Sequence, residues 1–537
     1  MVPPLPPENV KEIFEYLQDD LGSLYSCMFV NRQWAQVAVE ILWRDTMKFR
    51  DLCYSTQHVL KILSTLISCL PKESKDILRG RGIKIPITAR PPSFDYAGMC
   101  RYLEFTHINN MIDSMVSSTK LPDGNKKCNK KLIPGTMEYC KSGTMHKYTK
   151  YLIKQELYKM FISRCSTLKK LEYRDKDILL PCFRNAEICL SNLCELHCNS
   201  SLPSGTFYQM SLICKNLAKI IIDDCTSDNE GLATLIKVQN NLKSVKIIVK
   251  GNALCKGKLF SPGRFNRYDV NCRYTNIADA ISFQSKSLTH FHIGGKLLKA
   301  IPPENISSLV NLQSLSITFH DDIENILTCS TFPKLKVLEL KLLPMLDHLI
   351  QFISRTEGHL EIIHFEVPCV YPFYQIPLFN QTVVKCCPNI RYLNTWFYGE
   401  DVSDFKKLLI GCRNLEAISI ATYRYDDETY EAHINEFLEI LEVLEIDLKL
   451  RLKLCKIEFY YSWGIDIDVL EVFLRKRKER NQDLEKHLQQ PLLSFYFHNS
   501  FLKSDIDFSE YMELKFKQFK KECLIKDFGI KKYDDFR

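Results

Sequence analysis

One short apolar pattern, Leu-x-x-Leu-x-Leu with related residues at some positions, returns ten times between residues 168 and 420 and constrains this chain more than any other feature. The copies are Leu168/Leu171/Tyr173, Leu193/Leu196/Cys198, Leu217/Ile220/Ile222, Leu242/Val245/Ile247, Leu288/Phe291/Ile293, Leu312/Leu315/Ile317, Leu335/Leu338/Leu340, Leu360/Ile363/Phe365, Ile390/Leu393/Thr395 and Leu415/Ile418/Ile420. Their leading residues lie 25, 24, 25, 46, 24, 23, 25, 30 and 25 positions apart. The alternation inside each copy reads as a short strand with one buried side. The segments between copies read as helices, as in Gly231 to Val238 and Asn276 to Phe283. One strand and one helix cannot bury their apolar faces alone, so successive units must stack. A chain of 537 residues, too long for one ordinary core, fits such an array.

The first fifty residues follow a different rule. After Leu5-Pro6-Pro7-Glu8, the apolar residues Val10, Ile13, Phe14 and Leu17 recur at helical spacing. Asp20 and Ser23 then suit the start of a second helix carrying Leu21, Leu24, Cys27 and Met28, and Val30-Asn31-Arg32-Gln33-Trp34 opens a third run ending at Ile41-Leu42-Trp43. Three helices this short bury little of their own apolar surface, which predicts a partner. The segments LPPENVKEIFEYL, SLYSCMFVNRQW and ILWR resemble an F-box over about residues 3 to 48. That resemblance implies docking on a Skp-family adaptor and, through it, on a cullin. Leu5 and Pro6 match the family's adaptor-contacting start, and Ile13, Phe14, Leu17, Leu21 and Leu24 match its apolar interface and helical core. The periodicity does not separate the outward residues from the inward ones. Trp34 and Trp43 read as internal packing.

A period near 25 lies in the leucine-rich-repeat range. The expected fold class is therefore an α/β repeat: a short three-helix F-box followed by a leucine-rich-repeat solenoid of strand-helix units, horseshoe-like. Cys165, Cys214, Cys387 and Cys412 each stand three residues before a leading apolar position, which resembles the cysteine-containing repeats that follow F-boxes. The chain departs from that pattern at the Asn/Cys position after the strand, matched well only at Cys225. Further units are read at Cys100/Leu103/Phe105, Leu454/Ile457/Phe459 and Leu492/Phe495/Phe497. The expected domains are an F-box at 3–48, linker helices and a candidate first repeat at 49–160, the solenoid at 161–500 and a C-terminal capping segment at 501–537. A polar surface loop is expected near 117–147, and an insertion in the 46-residue step.

Composition excludes more than it selects. The opening residues have neither the basic start nor the apolar core of a secretory signal, and no window reaches the roughly 18 apolar residues of a membrane helix. A cytoplasmic and/or nuclear protein without a membrane partner is expected. The 22 cysteines then read as small buried thiols rather than disulfides. With only 19 glycines there is no GxGxxG or GxxxxGK[ST] motif. The net charge of +8, from 72 basic and 64 acidic residues, is spread along the chain and gives little ground for nucleic-acid binding. Lys126-Lys127-Cys128-Asn129-Lys130-Lys131 and Arg475-Lys476-Arg477-Lys478 read as solvated charge runs.

Cys189, Cys194, His197 and Cys198 cluster in sequence, but the strand pattern turns neighbouring side chains to opposite faces, so a structural role is expected in place of a metal site. No cofactor, catalytic residue or enzymatic activity is expected. The remaining strand positions form the candidate substrate surface: Lys169, Lys170, Lys219, Lys243 and Lys246 early, and Arg391 and Tyr392 later, with Glu361, His364, Asn394 and Glu416 around them. The early half is basic, which suggests an acidic or phosphorylated client segment. The expected function is a substrate-recognition adaptor subunit of an SCF-type cullin ubiquitin ligase, its repeats holding an unidentified client protein. The alternative is a repeat scaffold outside any ligase.

Overall fold

The computed structural model describes residues 5–45, 56–81, 83, 92–118, 142–248, 274–294, 301–318, 323–342, 344–367, 375–397, 402–421, 437–444, 453–460, 466–482, 491–499 and 506–532. Contacts divide the chain into two units, Met1–Ile247 and Ile248–Arg537. The expected polar loop at 117–147, apart from its ends, and the insertion within 249–273 lie outside the described residues.

The first unit opens with α1 (Pro7–Glu15), α2 (Leu21–Cys27) and α3 (Arg32–Trp43). Each start has a local cause. Pro7 occupies the first helical turn, where its missing N–H costs nothing. The Asp20 carboxylate accepts from the Ser23 N–H at 3.0 Å, and Asn31 accepts from the Trp34 N–H at 2.8 Å. Val10, Phe14, Leu24, Val37, Ala38, Ile41 and Leu42 form the shared core, with Trp34 and Trp43 packed against it as expected.

The end of α3 runs into the sheet. The Arg44 carbonyl accepts from the N–H groups of Arg101 and Tyr102 at 2.8 and 2.9 Å, and Asp45 bridges Tyr102 in parallel. Arg44 also grips α1 through two 2.7 Å hydrogen bonds to Glu15. One residue thus ties the helical segment together and starts the strand array.

Five strands follow in this unit: β1 (Tyr102–Glu104), β2 (Lys170–Glu172), β3 (Glu195–Cys198), β4 (Lys219–Ile222) and β5 (Ser244–Ile248). Each pairs in parallel with the next, in the register Tyr102, Lys170, Glu195, Lys219, Ser244. Helices Ala186–Ser191, Ser204–Ile213 and Glu230–Lys237 separate the later strands. The leading, fourth and sixth residues of every expected copy here are buried, including the early unit Cys100/Leu103/Phe105.

The second unit continues with β6 (His290–Gly294), β7 (Ser314–Thr318), β8 (Val337–Leu342), β9 (Ile362–Val367), β10 (Tyr392–Trp396), β11 (Ala417–Ala421), β12 (Lys456–Tyr460), β13 (Ser494–Asn499) and β14 (Asp527–Lys532). All neighbours are parallel and in chain order. Parallel neighbours need a crossover, and helices such as Leu346–Arg355, Ile376–Cys386 and Val402–Gly411 supply it. The fold is an N-terminal helical segment followed by parallel strand-helix repeats.

Two details differ from expectation. At β13 the buried leading residue is Leu493, and Leu492 is exposed. Within the expected capping segment, the described residues 506–532 form a helix, Ile506–Lys521, and the strand β14, and Ile525-x-x-Phe528-x-Ile530, leading into and along that strand, repeats the pattern once more. Phe528 stacks on Phe516 of that helix at 5.4 Å, so the array closes on an aromatic cluster. The odd Thr395, in place of an apolar residue, is buried with its hydroxyl 2.6 Å from the Asn380 side-chain oxygen.

Candidate functional site

The N-terminal helices sort the seven candidate docking residues. Phe14 is 2% exposed, with its ring edge-on to Trp34 at 5.2 Å, and Leu24 is wholly enclosed; both belong to the core and are removed from any docking face. Leu17 and Leu21 are partly buried against that core. Leu5 is 49% and Ile13 50% exposed, and Pro6 is exposed beside them in the chain. Gln33 fixes this start by donating from Nε2 to the Leu5 carbonyl at 2.9 Å. Tyr16, Tyr25, Phe29 and Val30, absent from the candidate set, are exposed as well, and Tyr25 and Phe29 meet edge to face at 5.2 Å. Their signal lay in the sequence, since Tyr16 and Tyr25 fall off the inward stripe of α1 and α2, and Phe29 and Val30 stand in the turn between α2 and α3. The segment therefore has a filled core and a separate outward apolar surface.

On the strand face of the first unit, Glu195 is the hub. Its Oε1 lies 3.4 Å from Lys170 Nζ, 3.3 Å from Lys219 Nζ and 2.5 Å from His197 Nε2. The His197 hydrogen bond first, then the two lysines, hold the Glu195 carboxyl down to about 2. A depressed carboxyl contributes stability above its ordinary value of 4.5 that is lost as pH falls towards 2. Allowing for partial exposure, this contribution is about 1 kcal/mol. Glu195→Gln should therefore lower the midpoint of urea unfolding at pH 7 and narrow the gap to wild type at pH 3. A constant gap would show that the carboxylate is not the group responsible.

Glu172, buried on β2, accepts from the Thr106 N–H at 2.9 Å and hydroxyl at 2.6 Å and pairs with Arg174. Arg174 also pairs with Asp223. Lys169 and Lys243 are exposed, and Lys246 is half-buried.

The second unit arranges its charges differently. Lys336, Glu361, Arg391 and Glu416, each just ahead of the adjacent strands β8 to β11, alternate in sign at 2.9, 3.8 and 2.9 Å. Arg391 is thus matched on both sides. Tyr392 sends its hydroxyl to Glu458 on β12 at 2.7 Å, passing over β11, whose open positions hold only Ala417 and Ser419. Asn394 and Ser419 are buried, 3.2 Å apart. Asn394 is therefore no surface residue, and Arg391 and Tyr392 are already occupied within the chain.

The F-box-like family matches residues 3–47. This chain carries an F-box-like domain ahead of parallel strand-helix repeats. No curated relative matches the chain. Solved structures that align with it include the Rad7–Elc1 complex from yeast, at 11% identity over 56% of this chain and 78% of that one, TM-score 0.29. A protein from Bacteroides fragilis aligns at 12% over 60% and 84%, TM-score 0.28. The leucine-rich repeat-containing protein LegL7 from Legionella pneumophila aligns at 10% over 59% and 99%, TM-score 0.30.

The repeat cysteines behind this F-box-like domain are packing groups. Cys165, Cys214, Cys387 and Cys412 are buried, and burial pushes the thiols of Cys214, Cys387 and Cys412 up to about 12. Cys386 is only half-buried beside its core neighbour. Cys198 and Cys189 point into the core while His197 faces Glu195 on the other side. Among the described residues no group of three or more His, Cys, Asp or Glu side chains could hold a metal ion, and no helix is long and apolar enough to cross a membrane. The polar ladder after the strands runs instead through Ser200, whose hydroxyl accepts from the N–H groups of Thr226 and Ser227 at 2.8 and 3.1 Å, and Asn229, which donates to the carbonyls of Ser200 and Leu202. These two residues were not legible in the sequence because only the fold brings their partners together.

Proposed function

We propose that this chain is a substrate-recognition subunit of an SCF-type cullin ubiquitin ligase, with the F-box-like domain on a Skp-family adaptor and the repeats on a client protein. The F-box-like match at residues 3–47, together with exposed Leu5 and Ile13 over a filled core, carries this reading. The chain performs no catalysis itself; it acts in the cytoplasm and/or nucleus by holding client lysines near a ubiquitin-charged enzyme, which raises their effective concentration. The grip of Arg44 on Glu15, Arg101 and Tyr102 supports a fixed bearing of adaptor against the first strands.

Co-purification with a Skp-type adaptor tests the reading. A Leu5→Ala/Ile13→Ala/Phe29→Ala variant removes exposed side chains only and should keep its circular dichroism while binding falls about 100-fold, as when buried interface anchors are truncated. A folded wild-type chain that fails to bind any Skp-type adaptor leaves the repeat scaffold as the better account.

A further inference from the structure

We infer that the outer edge of β14 pairs antiparallel with the same edge of a second copy of this chain, joining two strand arrays about a two-fold axis. Such a dimer requires nothing of the receptor reading above. At the start of the array the edge is occupied: Asp45 bridges Tyr102, and the Arg44 carbonyl accepts from the Arg101 and Tyr102 N–H groups. At β14 it is not. All six residues of β14 pair with β13 in parallel, and among the described residues nothing bonds its other side. In a parallel pair every second residue turns its N–H and C=O away from the neighbour, so β14 presents free backbone groups along its length. An open edge of this kind is a template for another strand. The last core layer is incomplete as well, since Phe528 is only half-buried although it stacks on Phe516.

The strand's own sequence selects the occupant. Asp527-Phe528-Gly529-Ile530-Lys531 is complementary to itself when read antiparallel about Gly529. In that register Asp527 of each copy stands opposite Lys531 of the other, and Phe528 opposite Ile530. Alternation places 528 and 530 on one face of the sheet and 527, 529 and 531 on the other, so apolar pairs and ion pairs fall on separate faces. Gly529 sits on the axis, kept bare by the Tyr496 ring, which an added Cβ would approach to 2.8 Å. The Asp527 carboxylate is 46% exposed; it bonds Lys520 Nζ at 2.8 Å and the Tyr496 hydroxyl at 3.2 Å through different oxygens, and each oxygen keeps a lone pair for a further donor. Lys526 and Lys532 would meet as like charges at the two ends of the pair. The ion pairs, the apolar pairs and about four to six backbone hydrogen bonds outweigh those contacts.

Two charge reversals read this register directly. Full-length protein would be followed by size exclusion with light scattering over about a hundredfold range of concentration, wild type beside Asp527→Lys and Lys531→Glu, each checked by circular dichroism. Wild type should move from the mass of one chain to that of two as concentration rises. Either substitution alone sets like charges opposite each other at both 527–531 pairs and should weaken the dimer at least about tenfold. Mixed in equal amounts, the two variants should dimerise again, because both 527–531 pairs are then of opposite charge. Should Asp527→Lys lose its circular dichroism along with its bond to Lys520, wild type and Lys531→Glu alone decide the outcome. Wild type that keeps the mass of one chain throughout, variants as dimeric as wild type, or a mixture of folded variants no more dimeric than its components overturns the proposal.

Discussion

Replacing Phe14 by alanine should melt the three N-terminal helices while leaving the strand array in place. Truncating a fully buried Phe typically costs about 3–5 kcal/mol, through lost burial and the cavity left behind. Here the ring fills the centre of a core built from Val10, Leu24, Val37, Ala38, Ile41 and Leu42 and stands edge-on to Trp34 at 5.2 Å. Three short helices hold only a few kcal/mol of stability between them, so the loss is comparable to the whole. Its neighbour Ile13 is half exposed, and Ile13→Ala should change stability by less than about 1 kcal/mol. Amide hydrogen exchange over residues 7–43, compared with residues 195–248, reads both outcomes. Equal protection loss in the two variants would mean that the inward and outward faces of α1 are assigned wrongly.

A second large effect is expected at Gly231, where two opposing terms can be weighed. In an exposed helix, Gly→Ala gains about 1 kcal/mol from propensity. Gly231, in helix Glu230–Lys237, faces the first residue of helix Ser204–Ile213: an added Cβ would lie 2.2 Å from the Ser204 carbonyl oxygen and 2.9 Å from its carbon. These are backbone atoms, so no rotamer change relieves the overlap, and the helices must move apart. Overpacking of this kind costs about 1–3 kcal/mol or more, and a rigid backbone obstacle puts it at the upper end. We expect Gly231→Ala to be destabilised by about 2 kcal/mol net and Gly231→Val by more, both measured by urea unfolding. An alanine variant at least as stable as wild type would show that the repeat-to-repeat distance is not fixed at this glycine.

Gly231 also marks how far the sequence could be read. Its residue type suited a helix poorly, yet the surrounding apolar spacing already announced one, and the structure supplies the reason for the exception. The same holds at the second end of the array: Ile525, Phe528 and Ile530 carry the repeat pattern, but a step of 33 residues from Leu492 hides it from a search for a period near 25. The strand β14 emerges because Phe528 finds Phe495 beside it and Phe516 beneath it.

By itself, the sequence determined what depends on local periodicity. The strand positions, the intervening helices, their parallel stacking and the three helices at the start all follow from apolar spacing, from Pro7 in the first turn of α1 and from the caps Asp20 and Asn31 that bond backbone three residues on. Tertiary structure alone decided what depends on distant neighbours. Phe14 and Ile13 are adjacent and similarly apolar, and only packing against α3 turns one inward and leaves the other for a partner. Lys219 and Arg391 are both cations at strand starts, and only the register shows that Arg391 is matched on either side while Lys219 shares a single carboxylate with Lys170 and His197. Whether a charge is spent within the fold is set largely by residues about 25 positions away, brought within 4 Å by parallel pairing, and no local pattern encodes that.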